Sequence, residues 1–187
     1  MIKFGTGGWR AIIADEFTKE NIRLVVAGLC KLMLLEGHAG KEICVGYDRR
    51  FLSKESAHWA AEVLAGYGFH VFVVARSSPT PLIMFTVKQM QTPYGLAVTA
   101  SHNPAKYNGY KVYGADGCQI TLEVAAKILA AIEAVDCFAV QPADFDAALA
   151  EGKIEYSSEK CLDDFVDAVY AQRVGDGAGT ADLKLVY

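Results

Sequence analysis

The chain has 187 residues, 52% of them apolar, and a formal net charge of −4. This composition supplies a substantial core, and its charge argues against a basic nucleic-acid binder. There is no apolar run of about 18 residues, so no membrane-spanning helix is expected.

The first helix is predicted from about Thr18, which can cap it, to Glu36, with Gly37 ending it. Ile22, Val25, Val26, Leu29 and Met33 form one apolar stripe along it. Glu42 to Asp48 reads as a short strand. Ser53 then caps a second helix reaching about Tyr67. Phe69 to Ala75 is a nearly continuous apolar run, as in a strand covered on both faces. Thr80-Pro81 predicts the start of a third helix, ending near Met90. Gly95 to Ala100 reads as a further buried strand. Tyr110–Tyr113 and Cys118–Ile120 flank Asp116-Gly117, a turn signal that predicts a hairpin on an antiparallel edge. A fourth helix is predicted from about Thr121 to Ala134. The alternation implies a three-layer α/β/α sandwich with a mostly parallel mixed sheet carrying an antiparallel edge.

Residues 1–138 are expected to form this domain. Beyond them, Pro142, Gly152 and several acids suggest a connection through residue 156. A helix is predicted from Ser158 to Val174, then a glycine loop at 175–179 and the start of a strand at 183–187. Residues 139–187 therefore read as a connection and the truncated start of a second domain. The N-terminus lacks a signal-peptide pattern. Five cysteines without a CxxC pair suit a reducing, cytoplasmic setting and small buried packing roles.

The stretch with the most chemistry is Thr99–Pro104, a loop at the carboxyl end of a predicted strand, where ligands of open α/β sheets bind. Ser101 can be a nucleophile, a phosphate carrier or a turn residue. Its neighbours Ala100 and His102 are not those of a Gly-x-Ser-x-Gly hydrolase elbow. In Thr6-Gly7-Gly8-Trp9-Arg10, glycines allow close backbone approach to an anion and Arg10 offers a fork of donors. No Gly-Lys-Ser/Thr follows, so this is not a P-loop. Asp48-Arg49-Arg50 ends another strand, and two arginines there can meet a phosphate or form local ion pairs. Lys111 is either a solubilising edge residue or an acid/base with a lowered pKa. His38, His58 and His70 lack metal or catalytic spacing and read as structural.

Taken together and in this order, Phe4–Arg10, Val45–Arg49, Pro79–Pro81, Thr99–Pro104 and Asn108–Lys111 resemble the N-terminal domain of the α-D-phosphohexomutases, the phosphoglucomutase/phosphomannomutase family. The resemblance covers roughly residues 1–135. It implies that Ser101 is a phosphoserine that passes its phosphoryl group to a hexose monophosphate through a hexose 1,6-bisphosphate intermediate. It also implies a Mg²⁺ ion bound through that phosphate, with the remaining ligands in a second domain. Lys111 is then a candidate proton carrier, Arg10 offsets phosphate charge, and His102 supports the loop. Thr6, Gly7, Arg49, Asn103 and Asn108 are expected at the substrate or phosphate, Asn103 and Asn108 by shaping the loop. Gly8-Trp9 and Ala11 depart from the usual Ser-Ile and glycine of the first motif, yet leave Arg10 in place. The partners implied are a hexose phosphate and domains II–IV of a longer chain, with no nucleic acid and no membrane. This chain alone is expected to be inactive as a mutase. The competing expectation is a non-catalytic sugar-phosphate-binding module of the same fold.

Overall fold

A computed structural model describes residues 2–5, 7–175 and 184. Of the strand expected at 183–187 only Lys184 is described, and of the glycine loop expected at 175–179 only Gly175. The strands are β1 (Trp9–Ile12), β2 (Glu42–Tyr47), β3 (His70–Val73), β4 (Tyr94–Val98), β5 (Tyr107–Gly114) and β6 (Ile154–Tyr156). The helices are α1 (Lys19–Leu35), α2 (Ser53–Gly66), α3 (Thr80–Met90), α4 (Leu122–Glu133), α5 (Phe145–Ala150) and α6 (Lys160–Tyr170).

The six strands form one mixed sheet in the order β1-β5-β4-β2-β3-β6. The β4-β2-β3-β6 portion is parallel, while β5 runs antiparallel to both β4 and β1. Every residue of β4, and all of β2 after Glu42, is buried, as central strands covered on both faces must be. Helices α1, α2, α4 and α5 pack side by side over one face, and α3 and α6 over the other. The result is a three-layer α/β/α sandwich.

Side-chain caps open α1, α4 and α5. Thr18 Oγ1 accepts the Asn21 N–H at 3.3 Å and opens α1, whose buried face includes Ile22, Val25, Val26, Leu29 and Met33. Thr121 caps α4 in the same way. Two glycines let layers approach closely. A Cβ on Gly28 of α1 would lie 2.5 Å from Ile132 Cγ1 of α4, and one on Gly46 of β2 would lie 2.4 Å from Ile83 Cγ1 of α3.

The structure departs from the sequence reading in five places. The Asp116-Gly117 turn forms, with Asp116 Oδ1 accepting the Cys118 N–H at 2.9 Å, but the second hairpin strand is only one bridge, Tyr113 to Gln119. Thr121 caps α4 two residues later, which leaves no length for a ladder. The antiparallel edge is supplied instead by β1, a four-residue strand absent from the sequence reading, paired with β5. Ser53 lies inside α2 rather than capping it; Leu52, at φ +61°, holds the cap position without a side-chain bond. Finally, the expected connection at 136–156 contains α5 and β6. Strand β6 extends the same sheet beside β3, with Ile154 fully buried. The last helix is shorter than expected and has no buried residue; its contact with α3 includes Phe165 edge-on to Phe85.

Candidate active site

The chain steps from β2 to β3 in one direction along the sheet, then back across β2 to β4. Strand order therefore reverses between β2 and β4, and a crevice opens at their carboxyl ends. Asp48, Arg49, Arg50, Phe51, Ser101, Asn103 and Ala105 line this crevice, about 510 Å³ in volume.

Ser101 is exposed at its edge. Its backbone is left-handed, φ +57°, a region that costs a non-glycine residue about 1–2 kcal/mol. Strain of this kind persists only where the surroundings impose it, and it concentrates at functional sites. Here the surroundings are explicit. The Ser101 N–H donates to Thr99 Oγ1 at 2.9 Å, and the Asn103 N–H donates to the Ala100 carbonyl at 3.1 Å. The Arg50 guanidinium donates to the carbonyls of Ser101 (2.8 Å), Asn103 (2.6 Å), Pro104 (3.1 Å) and Tyr107 (3.0 Å). The Ser101 hydroxyl stands 3.4 Å from His102 Nδ1, so the imidazole sits beside the oxygen.

A polar network supports the loop from below. Asp48 Oδ1 accepts the Arg50 N–H at 2.9 Å and the Ser53 hydroxyl at 2.8 Å, while its other oxygen lies 3.6 Å from Arg50 Nε. Asn108 donates to Ser53 Oγ at 2.9 Å and to the Phe51 carbonyl at 3.0 Å, and its own Oδ1 accepts the Gly109 N–H. Asn108 is completely buried. Among the described residues expected at the substrate it is the one removed from solvent; its amide joins β5 to the start of α2.

The second cluster forms where the N-terminal segment lies on β5. Gly5 and Gly8 exchange backbone hydrogen bonds at 3.1 and 2.7 Å. Gly8 has φ +82°, and a Cβ there would sit 1.9 Å from the Tyr110 carbonyl oxygen. A Cβ on Gly109 would sit 2.1 Å from the Trp9 carbonyl oxygen. Glycine at both positions is therefore a steric requirement of this crossing. Strand alternation places Asn108 and Tyr110 on the α2 side and Lys111 on the opposite side. Burial, and then the charge of Arg10, lower the Lys111 pKa from the ordinary lysine value. Arg10 itself is exposed. The Thr99 N–H donates to the Gly109 carbonyl at 3.0 Å, which puts this cluster at the serine-loop end of the sheet.

The structure thus gathers Ser101, Asn103 and Arg49 around one crevice, with His102 beside the serine, and Gly7, Arg10 and Lys111 on the adjoining edge. Thr6 lies outside the described residues. Sequence reasoning grouped Arg50 with Arg49 as phosphate contacts or local ion-pair partners, and gave Ser53 only a capping role; Arg50 does pair with Asp48. The acceptors of Arg50 are carbonyls 51–57 residues away, and no local spacing signals them. Among the described residues no three His, Cys, Asp or Glu side chains converge on a metal position.

The fold and site define an α/β domain with an arginine-lined crevice and an exposed serine at the carboxyl ends of its parallel strands. A family model described as "Phosphoglucomutase/phosphomannomutase, alpha/beta/alpha domain I" matches residues 1–137. The chain belongs to the phosphoglucomutase/phosphomannomutase family, as its N-terminal α/β/α domain. It is 30% identical over 192 residues to a phosphoglucomutase of Staphylococcus haemolyticus, covering 100% of this chain and 34% of that protein. It is 34% identical over 178 residues to a phosphoribomutase of Saccharomyces cerevisiae, covering 90% of this chain and 29% of the relative. A crystal structure assigned as a phosphomannomutase from Thermus thermophilus superposes with a TM-score of 0.78 at 31% identity, over 92% of this chain and 36% of the other. The chain spans about a third of the length of these relatives.

Proposed function

We propose that this chain is the phosphoryl-carrying portion of a phosphohexomutase that interconverts hexose 1-phosphate and hexose 6-phosphate. The observation that carries this reading is Ser101, held in a left-handed conformation at the carboxyl end of β4 beside the Arg49 crevice. In the proposed reaction a phosphoryl group on Ser101 Oγ passes to a free sugar hydroxyl, giving a hexose 1,6-bisphosphate. The bisphosphate reorients, and its other phosphoryl group returns to the serine. Such transfers depend on positioning and on charge stabilisation. Arg10 and Arg49 supply positive charge at this end of the sheet. Neutral Lys111 accepts the proton of the attacking hydroxyl, and its lowered pKa favours that role. His102, beside Ser101 Oγ, supports the loop. Mg²⁺ has one candidate ligand here, the phosphate on Ser101, and would draw its others from the further domains of a longer, cytoplasmic enzyme. The sugar would also be held by those domains, so this chain alone is inactive.

The test is phosphate on Ser101. The full-length parent, purified from cells or incubated with glucose 1,6-bisphosphate, should carry one phosphoryl group that Ser101→Ala removes, read by intact mass and peptide mapping. Phosphate that persists in Ser101→Ala would overturn the carrier assignment. A coupled glucose 1-phosphate assay of this chain should show no turnover, and turnover near that of an intact mutase would refute the inactivity. Ribose 5-phosphate as a parallel substrate of the full-length parent distinguishes a hexose from a pentose enzyme.

A further inference from the structure

Building on the carrier reading, we propose that Arg50 is the positioning residue of the serine loop, and that Arg49 is the arginine of the pair left to meet an anion. A guanidinium has five N–H donors in one plane. In Arg50 the two Nη1 donors reach Pro104 O and Tyr107 O, and the two Nη2 donors reach Ser101 O and Asn103 O. The Nε side faces Asp48 Oδ2 at 3.6 Å. All four Nη donors are committed and Nε faces a carboxylate, so no Nη donor remains for a phosphate. Three of the acceptors are backbone carbonyls of the serine loop and the fourth is that of Tyr107, the first residue of β5, and drawing them to a single planar fork fixes the path of the chain through Ser101. Asp48 in turn fixes the arginine, because its Oδ1 accepts the Arg50 N–H. The side chain of Arg50 is only 15% exposed. Arg49 is exposed and has no hydrogen-bond or ion-pair partner among the described residues, although it lines the same crevice. A lysine at 50 would keep the charge but offer three donors in a tetrahedral array, which cannot span four carbonyls.

The decisive experiment is amide hydrogen exchange at Ser101, Asn103 and Tyr107 in this chain, comparing wild type, Arg50→Lys and Arg49→Lys. Arg50→Lys should accelerate exchange at these amides at least tenfold while the amides of α1 keep their protection; Arg49→Lys should leave all of them unchanged. Loop protection that survives Arg50→Lys overturns the proposal. A second measurement needs no variant. Nitrogen-resolved NMR of the wild-type Arg50 side chain should show four separate Nη–H resonances, since four acceptors stop rotation about the Cζ–Nη bonds; one averaged signal overturns the clamp. Titration with inorganic phosphate should shift the Arg49 Nε signal and spare that of Arg50, and the reverse pattern overturns the division between them. These readouts do not depend on phosphoryl transfer. Absence of phosphate on wild-type Ser101 would therefore sink the carrier reading alone, while loop exchange would still decide the role of Arg50.

Discussion

Ser101 occupies a backbone region that glycine enters freely and alanine does not. Ser101→Gly and Ser101→Ala both remove the hydroxyl, but only the first relieves the backbone. The glycine variant should therefore be more stable than the alanine variant by about 1 kcal/mol, measured by denaturant unfolding. Equal stabilities would mean that the loop imposes no strain at this position. Lys111 supports a second expectation. Arg10 is a like charge that disfavours the ammonium form, so Arg10→Ala should raise the Lys111 pKa, read from its side-chain NMR titration. The sign for stability follows from the lowered folded-state value. Below it both states are protonated and the destabilisation is complete; as pH rises through it toward the unfolded lysine value, this contribution to instability disappears. Chain stability referable to Lys111 should thus increase with pH across that window, and less so in Arg10→Ala. Ser101, Arg10 and Lys111 were legible in the sequence because short motifs display them. The part played by Arg50 was not, since its partners are distant carbonyls that carry no side-chain signature.

Among the elements, the helices α1 and α4 were readable because each begins at a capping threonine and α1 carries a continuous apolar stripe. Strands β1 and β6 were not. Each has only three or four residues, too few for an alternation to register, and each exists through pairing with β5 or β3. Close packing between elements gives a contrast that can be tested. At Gly46 the nearest obstacles are side-chain atoms of Ile83, whereas at Gly28 they include the backbone N and Cα of Ile132 at 2.8 Å. Both Gly46→Ala and Gly28→Ala should destabilise, by about 1–3 kcal/mol or more, as overpacking does. Ile83→Ala should largely offset Gly46→Ala, giving a clear coupling in a double-mutant cycle. Ile132→Ala should offset Gly28→Ala much less, because the α4 backbone remains in the way. Equal rescue at both sites would show that α4 shifts as easily as a side chain.

At the scale of the whole molecule, the sheet continues past the end of the family match at residue 137. The Val71 N–H donates to the Lys153 carbonyl at 2.8 Å, and the Ser157 N–H donates to the Val73 carbonyl at 2.9 Å. A chain ending at residue 138 should leave the β3 edge open and lose the burial of Ile154, worth about 1.5–3 kcal/mol. It should melt lower and aggregate more readily than a chain ending at residue 158, as differential scanning calorimetry and light scattering would report; identical behaviour would mean that β6 contributes nothing to the fold. The pairing of β1 with β5 has a consequence in time rather than in space. Trp9 and Arg10 leave the ribosome about a hundred residues before Tyr110 and Lys111, an interval of roughly 5–20 s at ordinary synthesis rates. Throughout that interval the N-terminal segment has no strand to join, and Trp9, destined to be almost wholly buried, waits in solvent. The newborn chain is thus most open to chaperone capture or wrong pairing during its first hundred residues, and the cationic cluster at this edge is completed only when β5 arrives.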